Sequence, residues 1–467
     1  MQKRRSKQLL AGAMATGLVV LAACGSSSKT TSSTASAVTT TAATASTTAS
    51  SAAATTTAPT TGSSTAPTTG SSTGSSTAPT TGSSTGSSTA PTTGSSSGSS
   101  TAPTTGSSTT GTGGGKATAG ELKDICPAEI KIQTDWVPEA EHGFLYQMIG
   151  KGYTVNNNDA SVTGPLMAPG GVDTGVKLTI LSGGSAKGFS SDTTLMYADP
   201  TILLGFVYTD EAIQNSAKFP TVAIESGYNK NPQMIMWDPA TYPNVTGIAD
   251  LGKAKVKVRY FGGAAYMDFL TSTGVLSKDQ VDGSYKGDPS LFVADEGKSA
   301  QQGFGSAEPY QYEKIVKNWL KPVKFQYIND VGWKNYAESI ATLPANITKY
   351  SACFKKLVPI IQQSTIDYTK SPATANAVIL AAVAGFGNNF GWTYDQGAAD
   401  YAATTIAKDK LVDNGPDGVL GKFDIARVTD LIAKAIPVYT AQDSPPKAGL
   451  KASDIVTNEF LDPSIGL

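Results

Sequence analysis

A long segment without charged residues limits what this chain can fold into. Between residues 30 and 115 the sequence has no Asp, Glu, Lys or Arg, and Val38 is the only valine, leucine, isoleucine or methionine. A segment of this composition buries too little apolar surface to offset its conformational entropy, so we expect it to stay disordered. The 352 residues from Lys116 to Leu467 are enough for two lobes with a core each.

The charge balance of the larger part of the chain is acidic. Five of the 36 lysines and arginines precede Thr30, and the first acidic residue is Glu121, so residues 30–467 carry a formal net charge of −6. Only two arginines, Arg259 and Arg427, lie in this part. Proteins that bind nucleic acid need a basic surface for phosphate contacts, so the sequence argues against nucleic acid as a partner.

The N-terminus has the pattern of an export signal. Four basic residues lie within residues 1–8, and the apolar residues 9–23 that follow are too few to span a bilayer comfortably. The sequence then reads Leu-Ala-Ala-Cys, like a bacterial lipobox, so we expect residues 1–23 to be removed and Cys24 to be lipidated. An ordinary signal peptide cleaved near Ala23 is the alternative. The first interpretation anchors the chain to the extracytoplasmic face of the cell membrane.

Residues 24–118 are predicted to form a disordered linker behind this anchor. The unit Thr-Ala-Pro-Thr-Thr-Gly-Ser-Ser recurs every 8 to 12 residues, a period that is too short and too polar for a repeat fold. A flexible chain of about 90 residues has an end-to-end distance of roughly 50 Å. The linker is therefore expected to hold a folded domain away from the membrane, and its density of Ser and Thr beside Pro also resembles O-glycosylated stalks.

Two cysteines, Cys126 and Cys353, follow Cys24. Outside the cytoplasm such a pair is expected to form a disulfide, with two separate buried thiols as the alternative. A single histidine, His142, and the lack of CxxC and HExxH motifs argue against a zinc site, and we predict no cofactor. Residues 413–424 loosely follow a calcium-binding loop, but a plain loop is the preferred interpretation because the third position is Gly415.

The part of the chain after the linker alternates between strand and helix patterns and turns mostly helical after Trp333. Such alternation indicates an α/β sheet with both faces covered. Predicted strands are 130–136, 176–181, 201–208, 220–225, 234–237, 255–261, 291–294 and 323–328. Predicted helices include 143–151, 264–272, 309–319, 350–368, 373–386, 397–411 and 425–436.

Polar and aromatic residues follow the predicted strands, where α/β sheets bind their ligands. Each of these residues also has a structural interpretation as a core side chain, a turn glycine or a capping residue; their shared position at strand ends is what favours binding. The candidates from the earlier strands are Asp135, Trp136, His142, Ser191 and Asp192. The candidates from the later strands are Arg259, Gly262, Gly263, Tyr266, Glu308 and Tyr310.

One run of sequence resembles a known family. Residues 132–146, Ile-Gln-Thr-Asp-Trp-Val-Pro-Glu-Ala-Glu-His-Gly-Phe-Leu-Tyr, are similar to the opening of the NMT1/THI5-like solute-binding proteins, and Lys-Gly-Tyr at 151–153 fits the end of the helix that follows. That family includes binders of nitrate, taurine, alkanesulfonates and thiamine precursors. The resemblance covers most of residues 125–336 and is weaker in the C-terminal third.

The resemblance implies a type II periplasmic-binding fold, in which two α/β lobes joined by two crossing strands enclose one small molecule. Lobe 1 would comprise residues 119–225 and 324–467, and lobe 2 residues 226–323. By position in the family, the cleft would be lined by Asp135, Trp136, His142, Arg259, Tyr266 and Glu308. Two arginines supply little for clamping nitrate or sulfonate, whereas the aromatic residues suit a flat or heterocyclic ligand.

We therefore expect a monomeric, lipid-anchored solute-binding component of an ABC importer, with permease subunits as partners. The alternatives are a surface lipoprotein for sensing or adhesion without a transport role and, less favoured, an enzyme similar to a pyrimidine synthase. Residues 116–467 contain neither a Gly-x-Ser-x-Gly motif nor an evident pair of catalytic carboxylates, so we expect no enzymatic turnover.

Overall fold

The computed structural model describes residues 118–467, apart from residues 286, 288, 388, 391 and 392. The predicted signal peptide at 1–23, Cys24 and all but the last residue of the predicted linker lie outside the described residues.

Twelve strands in the described residues form two separate sheets. Their bounds are β1 Glu129–Gln133, β2 Thr154–Asn156, β3 Ser161–Ala168, β4 Val172–Leu181, β5 Ile202–Val207, β6 Val222–Glu225, β7 Gln233–Trp237, β8 Val258–Arg259, β9 Val281–Asp282, β10 Ala300–Phe304, β11 Lys324–Tyr327 and β12 Ser339–Thr342.

The first sheet has seven strands in the order β2-β3-β4-β1-β5-β12-β6. Its centre is parallel, because β1 pairs in parallel with both β4 and β5, whereas β3 and β12 run antiparallel to their neighbours. All six residues of β5, Ile-Leu-Leu-Gly-Phe-Val, are buried. Such an unbroken apolar run is typical of a central strand that is covered on both faces.

The second sheet has five strands in the order β11-β7-β10-β8-β9. The strands β10, β8 and β9 are parallel, and β7 runs antiparallel between β10 and β11. The chain leaves the first sheet after β6 and returns to it at β12, so the second sheet is inserted within the first. Although the predicted lobe boundary lies before Lys324, β11 belongs to the second sheet by pairing with β7.

Helices cover the sheets and make up most of the C-terminal third. Asp395 and Asp424 accept hydrogen bonds from backbone N–H groups in the first turns of two of the long helices, which fixes where these helices begin. The α-helices are Gly143–Gln147, Asp192–Ala198, Thr209–Asn215, Ile248–Lys253, Ala265–Ser272, Ser290–Ala294, Glu308–Tyr310, Pro344–Lys349, Ser351–Lys370, Ala373–Phe386, Gln396–Lys408 and Ile425–Ala441.

Some predicted elements differ from the structure. The strand predicted at 291–294 is wrong, since these residues lie in the helix Ser290–Ala294, where Phe292 is buried and Leu291 is exposed. The strand predicted at 255–261 is reduced to the two residues of β8. The helix predicted at 309–319 ends earlier, because its second part is a π-turn over Gln311–Ile315. The predicted fold class, α/β with a mostly helical C-terminal third, is confirmed.

Cys126 and Cys353 form a disulfide with their Cα atoms 4.9 Å apart. The bond joins the segment before β1 to the helix Ser351–Lys370, so it fastens the start of the described chain to its C-terminal third. Among the described residues no helix has both the length and the apolarity needed to cross a membrane.

The helix Gln396–Lys408 also touches the second sheet. The Tyr401 hydroxyl donates to the Gly305 carbonyl at 3.1 Å, just after β10. At the end of the helix, Asp409 accepts a hydrogen bond of 2.6 Å from the hydroxyl of Tyr327 in β11. These two hydrogen bonds fasten an element of the C-terminal third directly to the inserted sheet.

Candidate functional site

A cavity of about 720 Å³ lies between the two sheets. The segments after β1 and β4 line it from one side, and those after β9 and β10 line it from the other. These are carboxyl ends of parallel strands, where α/β proteins bind their ligands, and the volume is in the range of small-molecule sites, roughly 300–1,000 Å³. Residues that line it include Trp136, Ser185, Phe189, Tyr285, Glu308 and Tyr312.

Trp136 is held in the cavity wall by the backbone around it. Its carbonyl accepts hydrogen bonds from the Thr134 hydroxyl at 2.9 Å and from the Gly183 N–H at 2.8 Å. Gly184 has φ +57, and a Cβ there would lie 2.3 Å from Trp136 Cε3. The loop after β4 therefore passes flush against the indole ring, at a distance that only glycine permits.

Phe189 continues the same wall. Its ring centroid lies 5.8 Å from that of Trp136, with the two planes tilted by 44°. The residue adopts φ +61, in the left-handed region that non-glycine residues rarely occupy. Its N–H donates to the Gly184 carbonyl at 2.7 Å, which holds the turn closed. Strain of this kind is concentrated at sites where a protein positions a ligand.

Three further aromatic residues line the cavity, and another ring supports each of them from behind. Tyr285 packs on Phe261 with centroids 5.3 Å apart, Tyr312 on Phe292 at 5.2 Å, and Phe390 on Phe386 at 5.7 Å. The Tyr312 hydroxyl also accepts a hydrogen bond of 2.7 Å from Gln301 Nε2. The aromatic lining is thus fixed in place from both sheets.

The predicted residues Asp135 and His142 lie in a buried polar cluster that directly adjoins Trp136 in the chain. His142 Nε2 lies 3.1 Å from Asp135 Oδ1 and 3.6 Å from Glu139 Oε1. The Tyr208 hydroxyl donates to Asp135 at 3.2 Å and approaches Glu338 at 3.5 Å. Asp135, His142 and Glu338 present ligand atoms within 4.8 Å of one another, a set that could hold a metal ion.

Ser191 and Asp192 support the first sheet and do not line the cavity. Ser191 caps the helix Asp192–Ala198 by accepting from the Thr194 N–H, and Asp192 accepts from the Phe206 N–H of β5 at 3.1 Å. Burial raises the pKa of Asp192 well above its usual range, and the nearby carboxylates of Asp135 and Glu211 act in the same direction. Burial therefore favours the neutral form of Asp192, and the side chain connects the helix to the strand.

Glu308 is the predicted residue that lines the cavity from the second sheet. It is 1% exposed, and its Oε2 accepts a hydrogen bond of 3.0 Å from the Phe304 N–H at the end of β10. Glu141 lies near the same turn, because its Oε1 accepts a hydrogen bond of 2.8 Å from the Ser306 hydroxyl. Trp136 and Glu308 thus line the same cavity from the segments that follow β1 and β10.

Arg259 does not line the cavity. Its guanidinium forms an ion pair with Asp295 and donates hydrogen bonds to Ser299 and to the Leu291 carbonyl. These contacts join β8 to the helix Ser290–Ala294, so the observed role of Arg259 is to hold the second sheet together.

The four remaining candidates also lie outside the lining of the cavity. Gly262 donates to the Gly283 carbonyl at 3.1 Å, and Gly263 takes the turn conformation with φ +89. The Tyr266 hydroxyl donates to Gln302 Oε1 at 2.6 Å, beneath the end of β10. Tyr310 packs on Tyr401 of the C-terminal third, with centroids 5.7 Å apart.

The loop at 413–424, considered above for calcium, has its acidic side chains engaged in local contacts. Lys410 Nζ lies 3.3 Å from Asp413, and Lys422 Nζ lies 2.5 Å from Asp417. Asp424 caps the helix Ile425–Ala441. These contacts fit the plain loop that the sequence favoured.

The sequence prediction missed most of the aromatic lining. Phe189 lies two residues before the predicted Ser191, and the glycines at 183 and 184 marked its turn, so a signal for it was present. Tyr285 follows β9, a strand of only two residues that has no recognisable pattern. Tyr312 lies in the π-turn Gln311–Ile315 and Phe390 follows the helix Ala373–Phe386, and in such surroundings an aromatic residue usually indicates core packing.

Comparisons with solved structures show similarity to several solute-binding proteins at low sequence identity. The alkanesulfonate-binding protein SsuA from Xanthomonas axonopodis pv. citri, bound to MOPS, is 12% identical with a TM-score of 0.43, and the match covers 71% of this chain and 99% of that one. A zinc-bound ligand-binding component of an ABC-type import system from Staphylococcus aureus is 10% identical with a TM-score of 0.44, covering 71% and 97%. The periplasmic nitrate-binding protein NrtA from Synechocystis PCC 6803 is 13% identical with a TM-score of 0.37, covering 56% and 67%. No family model and no curated protein sequence matches the chain.

Proposed function

We propose that this protein captures a small solute in the cavity between its two sheets. The observation that carries the proposal is the cavity itself, which is lined from both sheets at the carboxyl ends of parallel strands by Trp136 on one side and Glu308 on the other. A solute bound there contacts both sheets. It therefore binds more tightly when the two sheets are close together than when they are apart. Solute binding and closure are thereby coupled.

The proposed lobes follow the sheets. The first is built on β1–β6, β12 and the C-terminal helices, and the second is built on β7–β11, so that the boundary moves from residue 323 to Tyr327. The two connections run between β6 and β7 and between β11 and β12. Two connections restrict the lobes to opening and closing about the line that joins them.

We propose further that the protein is the extracytoplasmic receptor of an ABC importer, held to the membrane through lipid on Cys24 and a linker. The export signal and lipobox pattern support this location. The disulfide between Cys126 and Cys353 also supports it, since such bonds persist in oxidising compartments. In this role the closed, loaded form is the one that the permease subunits recognise, and solute is released without chemical change.

The first test is mass spectrometry of small molecules released from the purified protein, compared with a Trp136→Ala variant. We expect about one solute per parent chain and an affinity at least tenfold lower in the variant, because the indole forms a central part of the wall. Trp136→Phe, which keeps an aromatic ring, is the matched control, and circular dichroism checks that both variants fold. Equal affinities in all three proteins would place the solute outside this cavity.

The transport role is tested in cells. Deletion of the gene should abolish high-affinity uptake of the solute identified in the first experiment, and the Cys24→Ser variant should release the protein from the membrane. Normal uptake in the deletion strain would favour a surface receptor for sensing or adhesion.

A further inference from the structure

The two connections between the sheets are fastened to each other. The first connection runs from β6 to β7, and the second runs from β11 to β12. The Tyr228 N–H of the first donates to the Ala337 carbonyl of the second at 3.1 Å. Close by, Asn231 Nδ2 donates to Asn335 Oδ1 at 3.0 Å. The chain thus crosses between the sheets as one antiparallel pair of segments.

One guanidinium group contacts both connections. Arg427 Nη1 donates to Asn229 Oδ1 in the first connection at 3.0 Å. Its Nε and Nη2 donate to the Lys334 and Asn335 carbonyls in the second connection at 2.7 and 3.0 Å. The Arg427 Cζ also lies 3.7 Å from the centroid of the Tyr336 ring. Each guanidinium nitrogen therefore donates to a connection, and the flat, forked shape of the group allows three bonds that a lysine ammonium does not reproduce.

Arg427 is itself anchored in the first proposed lobe. It lies in the first turn of the helix Ile425–Ala441, and its backbone N–H donates at 3.2 Å to Asp424, the residue that caps this helix. A second anchor in the same lobe is Asp210, in the helix after β5, which accepts a hydrogen bond of 2.8 Å from Asn335 Nδ2. Both connections are therefore held to the first lobe, which directs bending to the parts nearest β7 and β11.

Arg427 is not among the described residues that line the cavity, so any effect on binding is indirect. A solute that contacts both walls needs the lobes to meet in one relative position. If the two connections moved independently, the lobes would twist and slide as well as close, and the arrangement that binds solute would be a smaller fraction of the population. The apparent affinity falls in proportion to that fraction.

We propose that Arg427 is a positioning residue for solute capture. By holding both connections to one helix, it restricts the lobes to a single closing motion and thereby raises the affinity of a cavity whose described lining does not include it. This inference rests on the proposed function, because it concerns how the same cavity closes.

The test measures the distance between the lobes in the Cys24→Ser protein, in which the other two cysteines are paired in the disulfide. Spin labels are attached at Lys278→Cys in the second lobe and Lys356→Cys in the first, both exposed positions. Double electron–electron resonance then gives the distribution of distances. We expect Arg427→Gln to broaden this distribution at least about twofold, because the lobes gain motions other than closure. Arg259→Gln is the matched control, since it also removes three hydrogen bonds, but within the second sheet.

Asn229 provides a milder pair of variants. Asn229→Ala removes the bond from Arg427 to the first connection and leaves the bonds to the second, so it should also broaden the distribution. Asn229→Asp keeps an oxygen that accepts from Arg427 and should retain the parent distribution. In mass spectrometry after identical dialysis, the solute retained per chain should fall at least about threefold in Arg427→Gln and Asn229→Ala. It should stay at the parent value in Asn229→Asp and Arg259→Gln.

The outcomes separate the two proposals. If the parent retains solute and the distances or the retained solute are the same in Arg427→Gln and Asn229→Ala, the inference is wrong and the solute-binding role stands. Equal broadening in Arg259→Gln also contradicts the inference, because it would reflect a general loosening of the fold. If Arg427→Gln does not fold, the two Asn229 variants decide. A parent that retains no solute removes the proposed function, and the role of Arg427 in capture with it.

Discussion

Gly184 shows how a single residue can determine the shape of the candidate site. Its positive φ and its lack of a side chain let the loop after β4 lie directly on the Trp136 indole. Gly188, four residues later, has the same φ of +57 but no atom within 4 Å of its Cβ position. A comparison of the two glycines distinguishes two reasons for glycine. Both positions adopt the left-handed conformation, but only at Gly184 would a Cβ collide with a neighbouring side chain.

We predict that Gly184→Ala destabilises the protein more than Gly188→Ala. The backbone strain is common to both and costs about 1–2 kcal/mol, whereas crowding against the indole adds a further cost of about 1–3 kcal/mol at Gly184 alone. Urea unfolding followed by circular dichroism measures the difference. Solute affinity should fall only in the Gly184 variant, because Trp136 must move there. Equal losses at the two positions would contradict the close approach.

Glu225, at the end of β6, is a buried carboxyl whose protonation should be visible in the stability of the fold. Burial raises its pKa from 4.5 to about 8. The folded state therefore keeps a proton that the unfolded state releases above about pH 4.5. By linkage, stability is highest below this value and declines as the pH rises to about 8, at no more than about 1.4 kcal/mol per pH unit. Glu211, with a pKa raised by burial to about 7, contributes in the same direction.

Glu225→Gln should remove part of this decline and make the protein more stable than the parent at pH 8. The amide has nearly the same shape as the neutral acid and cannot ionise. Chemical denaturation at pH 5, 6.5 and 8 measures the effect, with Glu313→Gln as the control at an exposed carboxylate. Parallel pH profiles for the parent and Glu225→Gln would show that this carboxyl does not carry the proton.

At the scale of elements, the disulfide is the covalent bond that connects the segment before β1 with the helix Ser351–Lys370. The two cysteines are 227 residues apart in the chain, so the bond greatly restricts the unfolded state. We predict that Cys126→Ala/Cys353→Ala lowers the free energy of unfolding by about 5 kcal/mol in the chain-entropy model. Unfolding in guanidinium with and without reductant measures this, and two titratable thiols per native parent chain would rule out the bond.

Sequence patterns predicted some elements well and missed others for identifiable reasons. The helix Ala373–Phe386 matches its predicted bounds, because a mostly apolar stretch with Pro372 before it and Gly387 after it leaves few alternatives. In contrast, β10 reads Ala-Gln-Gln-Gly-Phe, and its two glutamines hide a fully buried strand. They can be buried because their side-chain amides form hydrogen bonds. Gln301 donates to the Tyr312 hydroxyl, and Gln302 accepts from the Tyr266 hydroxyl. Partners of this kind become known only when the sheet is assembled.

Contacts that form only in the folded protein also limited the prediction of the candidate site. Trp136 was a candidate because it closes a predicted strand, whereas no strand was predicted before Glu308, and its place in the cleft came from the resemblance. Arg259 ends β8, but the sequence did not show that Asp295 and Ser299, in the segment between the helix Ser290–Ala294 and β10, would engage its charge. The aromatic lining was missed because Tyr285, Tyr312 and Phe390 lie after weak or helical patterns.

At the scale of the whole molecule, the proposed tether and the proposed receptor are separate in function. We predict that deletion of residues 30–115 leaves the solute dissociation constant unchanged within about twofold, because every described residue that lines the cavity lies between Trp136 and Thr393. Uptake in cells should fall if the linker sets the distance from the membrane. Calorimetric titration of the shortened and full-length proteins provides the measurement, and weaker binding after the deletion would give the linker a part in the site.

The hydrogen bonds from Tyr401 and Tyr327 have a consequence for how the two halves separate. Because they fasten the helix Gln396–Lys408 to the inserted sheet, a widening of the gap must either carry this helix outward or break both bonds. In the first case, the helix shifts against the rest of the C-terminal third. In the second case, the hydroxyls of Tyr401 and Tyr327 lose their partners and become exposed to water. Either way, the shape of the protein without solute depends on a helix that is not among the described residues lining the cavity.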